Sequence, residues 1–350
     1  MAGGGTSQAF VTGPRAAVLL NANAKQVNGR VRDALARVVP AEDLFFSRSA
    51  EDANRIADAV IARGYRTVFT GGGDGTFVSW VNRILDHAQR RAVPAPRFGV
   101  LALGTGNAVA EVVGARRACH LDALRAFSNG RAGSRRLELL TCNGRRTPFA
   151  GIGVDAAVVN DYQWLRQRLG DTSLRPISTG IAGYFVAGAI RTAPRVMLER
   201  RSTYCEVVNI GAAAHRLDAA GRPVGPAIRH GELLYAGPCM VAAAGTVPFY
   251  GFGLKAFPFA TQRPGSMQLR LMTEIGVPTV LWNLPRLWSG RFSHPGLLDF
   301  HAERVTVTFE KPMPLQVGGD AEGWREQVAL GMSGEAVELV DFRARGELLN

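Results

Sequence analysis

The feature that most constrains this chain is an alternation of short apolar runs with helical patterns from Arg15 to about Arg135. In order these are AAVLL, the helical VNGRVRDALARVV, LFFS, the helical EDANRIADAVIARG, TVFT, the helical FVSWVNRILDHA and FGVLAL. Alternation of this kind specifies a parallel sheet covered by helices. Ligands in such sheets bind beyond the C-terminal ends of the strands. Three polar or glycine-rich loops lie at those ends: NANAK at 21–25, GGGDGT at 71–76 and GTGNA at 104–108. Their convergence on one crevice is the first inference that concerns function.

After about residue 136 the texture changes to shorter β-rich runs punctuated by glycine and proline, such as TPFAGIGV, YCEVVNIG, LYAGPCMVAAA and RVTVTFE. These predict a mostly antiparallel β-sandwich domain with one helical interruption around GIAGYFVAGAIRTA. The expected layout is a flexible leader over 1–14, an α/β nucleotide-binding domain over 15–135 and a β-rich substrate domain over 136–350. The last strands could return to the first domain, and a cleft is expected between the two.

Composition narrows the class. With 350 residues, 47% of them hydrophobic and 20% charged, the chain can bury a substantial core. The opening MAGGGTSQAFVTGP lacks the basic start and apolar centre of a signal peptide, so a cytoplasmic protein is expected. Four cysteines without a CxxC pair read as reduced, structural thiols. The net charge of +12 is almost all arginine, since Lys25, Lys255 and Lys311 are the only lysines among 41 basic residues. Anionic partners are favoured: nucleotide phosphates, an anionic membrane surface or nucleic acid. No recognition-helix or zinc motif accompanies the charge, so no specific nucleic acid is expected. No apolar run reaches the roughly 20 residues of a membrane-spanning helix; the nearest, Ile177 to Ile190, is broken by Ser178 and Thr179. The sequence leaves a homodimer open.

The loops carry the chemistry. GxxxxGK[ST] is absent, which removes P-loop NTPases. The GIGVD stretch at 151–155 only partly matches a dinucleotide fingerprint and reads as a glycine-rich structural turn. GGGDGT places Asp74 inside a glycine loop, where a carboxylate repels a bare phosphate unless it holds a metal or takes a proton. Alternatively, Asp74 caps the following helix in an ordinary turn, and the loop alone does not decide between these. LALGTGNAVAEVVG repeats the arrangement, with Asn107 at the N-cap of a helix. Two such loops at neighbouring strand ends look like one nucleotide site. The hydroxyls of Thr76 and Thr105 and the amides of Gly72, Gly73, Gly75 and Gly106 would serve phosphate oxygens.

On these motifs the chain resembles the diacylglycerol kinase catalytic-domain family, which includes bacterial lipid kinases and the sphingosine and ceramide kinases, and more distantly the NAD kinases. NANAK stands for the family's NPxxG, GGGDGT for GGDGT and LALGTGN for LPLGTGN. Later, AGIGVDAAV resembles GxGxDA, and SGRFSHP and LQVGGDAE fall where the family has a GxH segment and a DGE element. The resemblance implies transfer of the γ-phosphoryl group of ATP to a lipid hydroxyl, assisted by Mg²⁺. It implies that Asn21, Asn23, Lys25, Ser47, Gly72, Gly73, Asp74, Gly75, Thr76, Gly104, Thr105, Gly106 and Asn107 hold the nucleotide. Asp74 would organise the metal, and Asp320 with Glu322 would handle the acceptor's proton. The implied partners are a lipid alcohol and a peripheral, anionic membrane surface. Two other readings stand beside it: an NAD kinase-like phosphotransferase and a non-catalytic nucleotide- or lipid-binding protein.

Some positions depart from the pattern. The late element reads GGDAE, with Ala321 in place of glycine, which leaves open whether Glu322 faces the same way as Asp320. TQRPGSMQLRL lacks the acids that bacterial lipid kinases use for an accessory Mg²⁺, and Lys25 replaces a glycine and is expected to face solvent. His215, His230 and His301 read as surface residues, His294 as a structural hydrogen-bonding residue, and the arginines of GSRRLE and VMLERRS as solvated. GYFVAGAI and VLWNLPRLW fit core packing first and an acyl pocket second.

Overall fold

The computed structural model describes residues 15–22, 24, 27–169 and 203–343. The leader, Asn23, Lys25, the 177–190 run and the arginines of VMLERRS lie outside the described residues. The chain divides into two compact units, Met1–Leu137 with Val337–Asn350, and Glu138–Ala336.

The first unit runs β1 (Ala17–Asn21), α1 (Gly29–Ala36), β2 (Leu44–Ser47), α2 (Ala50–Ala62), β3 (Thr67–Gly72), α3 (Asp74–Arg90), β4 (Arg97–Ala102), α4 (Ala108–Val113) and α5 (His120–Ser128). The strands are parallel, in the order β2-β1-β3-β4, so all four C-terminal ends lie along one edge. Leu339, near the end of the chain, pairs in parallel with Phe98 beyond β4. Val18, Leu20, Phe69 and Leu101 of the strands meet Leu35, Leu124, Phe127 and Val340 in one core. The helices are amphipathic enough to cover it: α3 buries Phe77, Val78, Trp80, Val81, Ile84 and Leu85.

Arg135 is exposed, as expected, and also pairs through Nε with the buried carboxylate of Asp341 at 2.8 Å. The partner arrives from 206 residues along the chain, which no local reading of GSRRLE can see.

The second unit takes in the end of β5 (Gly133–Cys142), then β6 (Arg145–Thr147), β7 (Phe149–Gly153), α6 (Val154–Leu169), β8 (Thr203–Asn209), β9 (Ala214–Leu217), β10 (Pro223–Ile228), β11 (Leu233–Cys239), β12 (Val241–Gly245) and β13 (Met267–Met272). Two short helices follow, α7 (Val277–Trp282) and α8 (Leu284–Trp288), then β14 (Leu297–Ala302), β15 (Arg304–Val317) and β16 (Asp320–Asp341), whose last residues belong to the first unit. The pairings within this unit are antiparallel. One set runs β10-β9-β14-β13-β12-β7. The far half of β15 joins β7 while its near half joins β8, which pairs β11. The change of partner falls where the register of β15 shifts between Thr308 and Met313, around Pro312, which has no N–H for a ladder. Both sets meet in a core that includes Ile152, Val207, Leu269, Phe300, Val307 and Leu330.

Several expectations for this unit change. GIGVD is not a turn: its first three residues end β7 and the next two open α6. Gly153 is required at that junction, because with φ at +124° its Cβ would lie 2.1 Å from the carbonyl oxygen of Met240. His301 is not a surface residue; it is buried on β14, and its Nε2 lies 2.9 Å from the Phe259 carbonyl oxygen. His294 Nδ1 accepts a hydrogen bond from the Gly296 amide at 3.0 Å. VLWNLPRLW is not core, since Leu281 and Trp282 are exposed and α8 buries no residue. The four thiols are free, and burial pushes that of Cys142 up to about 12.

Candidate functional site

At the C-terminal edge of the parallel sheet, Asn21 ends β1 opposite Ser47, which ends β2. Asn21 Nδ2 donates to Thr76 Oγ1 at 3.4 Å, which ties the NANAK loop to the first turn of α3. The Ser47 hydroxyl is buried and donates to the Leu20 carbonyl at 3.4 Å. Ser47 therefore serves the β1–β2 junction within the sheet.

Asp74 is the first residue of α3, after an N-cap at Gly73 that has no side chain to offer. Its carboxylate reaches the neighbouring helix. Oδ2 accepts from the Ala108 amide at 2.9 Å and Oδ1 from the Val109 amide at 3.1 Å, the first two amides of α4. The physical reason lies in Asn107, which sits in the left-handed conformation (φ 58°) and makes no side-chain cap. Its amide folds back instead: Oδ1 accepts from the Gly104 N–H at 3.1 Å and Nδ2 donates to the Gly104 carbonyl at 2.7 Å. Asn107 thus closes the GTGN loop into a ring, and Asp74 does the capping that Asn107 was expected to do.

The same contact explains the glycines. A Cβ on Gly104 would stand 2.0 Å from the Gly73 Cα, so the backbones of the two loops touch. One on Gly72 would meet the Thr76 side chain at 2.4 Å. The loops form one piece, pinned by Asp74, with the amides of Gly75 and Thr76 in the first turn of a 17-residue helix, where no intrahelical acceptor exists. Such a turn suits anionic oxygens. Thr105 presents its carbonyl to the Arg117 guanidinium, which brings a cation to the same loop. Gly104→Ala is expected to force the loops apart and to weaken nucleotide affinity at least about tenfold, because the atom it meets is backbone and cannot swing away. Equilibrium titration with ATP checks this.

These residues do not fit the metal role assigned to Asp74. Both of its oxygens already accept backbone amides, the side chain is buried, and among the described residues no group of three or more His, Cys, Asp or Glu could hold a metal. A Mg²⁺ ion arriving on nucleotide phosphates needs few protein ligands, and Asp74 is not placed as one of them.

In the second unit, Val317 pairs with Asp320 across Gly318-Gly319, whose φ values are 59° and 85°. Both glycines of GGDAE are thus the two-residue turn of a hairpin, which needs positive φ at each position. Asp320 opens β16, and Glu322, two residues on, shares its face. Arg145 joins them: its guanidinium bonds to Glu322 and lies 3.8 Å from the Asp320 carboxylate. Glu322 does not face away. Asp320 stays half-exposed, and its pKa is raised by burial and by the charge of Glu322, with Arg145 acting against both. Arg145 had a signal in the sequence: Asn143-Gly144 between TC and RRT is a strong two-residue hairpin pair, and Cys142 does pair with Arg145.

A second cluster lies next to this hairpin. Asp155, in the first turn of α6, accepts from the Tyr250 hydroxyl, which accepts in turn from Gln316 Nε2. Gln316 Oε1 takes the Gly319 amide at 2.8 Å, so the chain of bonds ends in the turn that carries Asp320. Asp155 Oδ1 is buried with no hydrogen-bond partner among the described residues, and burial raises the carboxyl pKa to about 6 against the lowering effect of Tyr250. Nothing in the sequence joins Tyr250 and Gln316 to the GIGVD motif. The pairing of β7 with β15 on one side and with β12, which precedes Tyr250, on the other brings the three together.

Residues 15–139 match the family model described as the diacylglycerol kinase catalytic domain. The chain's likeness to particular proteins is narrower. A stretch of 47 residues is 53% identical to an eye-specific diacylglycerol kinase of Drosophila melanogaster, 13% of this chain against 3% of that protein's length. The fold is similar to a putative diacylglycerol kinase from Bacillus anthracis str. Sterne, at a TM-score of 0.62 and 13% identity over 95% of this chain and 99% of that one. A further B. anthracis structure, titled a diacylglycerol kinase, matches at a TM-score of 0.58 and 12% identity over 95% and 98%.

Proposed function

We propose that the protein is an ATP-dependent lipid kinase that transfers the γ-phosphoryl group to a lipid hydroxyl. The observation that carries this reading is the fusion of the GGGDGT and GTGN loops through Asp74, which builds a rigid anion cradle at the strand ends inside a diacylglycerol kinase catalytic domain. The amides of Gly75 and Thr76 and the Arg117 guanidinium suit phosphate charge. Asn21 and Thr76 join the NANAK loop to the cradle.

On this reading Asp320 receives the proton of the acceptor hydroxyl. An acid whose pKa is lifted from the ordinary range is a better acceptor for an alcohol proton than an unperturbed one. Arg145 holds Asp320 and Glu322 together, and Gln316 fixes the turn before them. Mg²⁺ carried on the nucleotide would neutralise phosphate charge during transfer; the chain's own part is to position the phosphates and take the proton. The protein would work in the cytoplasm at the membrane surface, in lipid metabolism; among the described residues no helix is long and apolar enough to cross a membrane.

The test is incubation with γ-labelled ATP and a panel of diacylglycerol, sphingoid base, ceramide and NAD. Label in an organic-phase lipid is expected. Label in NAD alone would favour the NAD kinase-like reading, and ATP binding without transfer to any acceptor would favour a non-catalytic binding protein.

A further inference from the structure

The α7–α8 pair is a surface without an occupant, and its composition says what would cover it. Residues 275–298 contain no Asp or Glu; Glu274 precedes them. Within this stretch Trp282 is 88% exposed, more than any other large apolar side chain among the described residues, and its neighbour Leu281 is 60% exposed. Four of the five residues of α8, Leu284, Pro285, Leu287 and Trp288, are apolar, yet the helix buries none of them.

Helices of six and five residues do not persist alone in water. The segment is held from its flanks. Ile275 and Phe292 are buried, and Thr273 N and Oγ1 donate to the Gly296 carbonyl at 2.8 and 3.0 Å. The Lys255 amide donates to the Trp288 carbonyl at 3.0 Å. The pair is therefore a preformed apolar projection.

Cations surround it. Arg286 lies on α8 and Arg291 just after it, both exposed, and Lys255 is exposed beside Gly290. The hydrogen bonds described for the two guanidinium groups go to uncharged atoms, Arg286 to Asn283 Oδ1 at 3.3 Å and Arg291 to Ser289 Oγ at 3.2 Å. A docking protein could match apolar area alone. Exposed tryptophan and leucine with three cations and no acid instead match the interface of an anionic bilayer, where indole sits at headgroup depth and each basic side chain adds attraction.

We propose that α7–α8 docks the protein on anionic membranes, with Leu281 and Trp282 entering the interface and Lys255, Arg286 and Arg291 meeting lipid phosphates. The proposal rests on the lipid-kinase reading for its purpose, which is to bring the protein to a bilayer-held acceptor.

The full-length chain is sedimented with vesicles of phosphatidylcholine alone and of phosphatidylcholine with roughly 30% phosphatidylserine. Binding is expected to the mixed vesicles only. The Leu281→Ser/Trp282→Ser double variant should bind them at least about tenfold more weakly, and Arg286→Ala and Arg291→Ala about fivefold more weakly each. All three variants should keep the wild-type melting temperature and transfer phosphate normally to short-chain diacylglycerol in detergent micelles. Vesicle binding that survives Leu281→Ser/Trp282→Ser, or a wild type that binds neither vesicle, overturns the proposal. So does a concentration-dependent dimer that Trp282→Ser dissolves in the absence of lipid binding. Expected vesicle results with no transfer to any lipid would leave the docking surface standing and refute the kinase reading; transfer in micelles without vesicle binding would do the reverse.

Discussion

Asp74→Ala is expected to lose about 2–4 kcal/mol of stability in the first unit, together with most of its nucleotide affinity. The variant leaves the Ala108 and Val109 amides without their carboxylate in a buried place, and each stranded donor costs about 1–3 kcal/mol. The loss of affinity follows from the loss of order, because the cradle is one piece only while Asp74 spans it. Asp74→Asn should fall between the two: its amide oxygen still serves one N–H, while its NH₂ confronts the other. Denaturant midpoints and ATP titration on the three proteins check this. If stability stayed at the wild-type level while binding vanished, Asp74 would be acting on the ligand and not on the loops.

Asp155→Asn should stabilise the second unit at neutral pH by up to about 3 kcal/mol, and the gain should disappear near pH 4. Burial raises the folded-state pKa from 3.8 to about 6. Between those values the native protein holds a proton that the unfolded chain has released, so stability falls as pH rises through this window and stays lower above it. Two units correspond to about 3 kcal/mol. Asparagine keeps the oxygen that accepts from Tyr250 and has no charge to desolvate. Melting temperature against pH for both proteins gives the answer. Parallel curves would show that Asp155 does not titrate differently on folding.

The general plan of the molecule was legible because periodicity is local. AAVLL, LFFS, TVFT and FGVLAL each fall on a strand, and the glycine loops lie at strand ends as alternation requires. The contents of the candidate site were only half legible. GGGDGT announced an unusual acid, but its partners lie 34 and 35 residues away on another helix, and neither composition nor spacing reports that Asn107 adopts a left-handed backbone and leaves the capping of its helix to Asp74. GGDAE looked like a weakened motif. Read with its turn geometry, the second glycine is the other half of a hairpin bend, and the acids on either side of Ala321 share Arg145. His301 was misjudged because its polar sequence neighbours suggested a surface position, while it lies buried on a strand and meets the Phe259 carbonyl from 42 residues away.

The central claim of the proposed function is that the protein is a lipid kinase in which Asp320 takes the proton of the acceptor hydroxyl. The most direct measurement is label transfer from γ-labelled ATP to the lipid that the panel identifies, run on wild type and on Asp320→Asn, with ATP binding titrated in parallel. The account predicts that transfer falls by about 10²–10⁴-fold while ATP affinity is unchanged. Wild-type transfer by Asp320→Asn would contradict it.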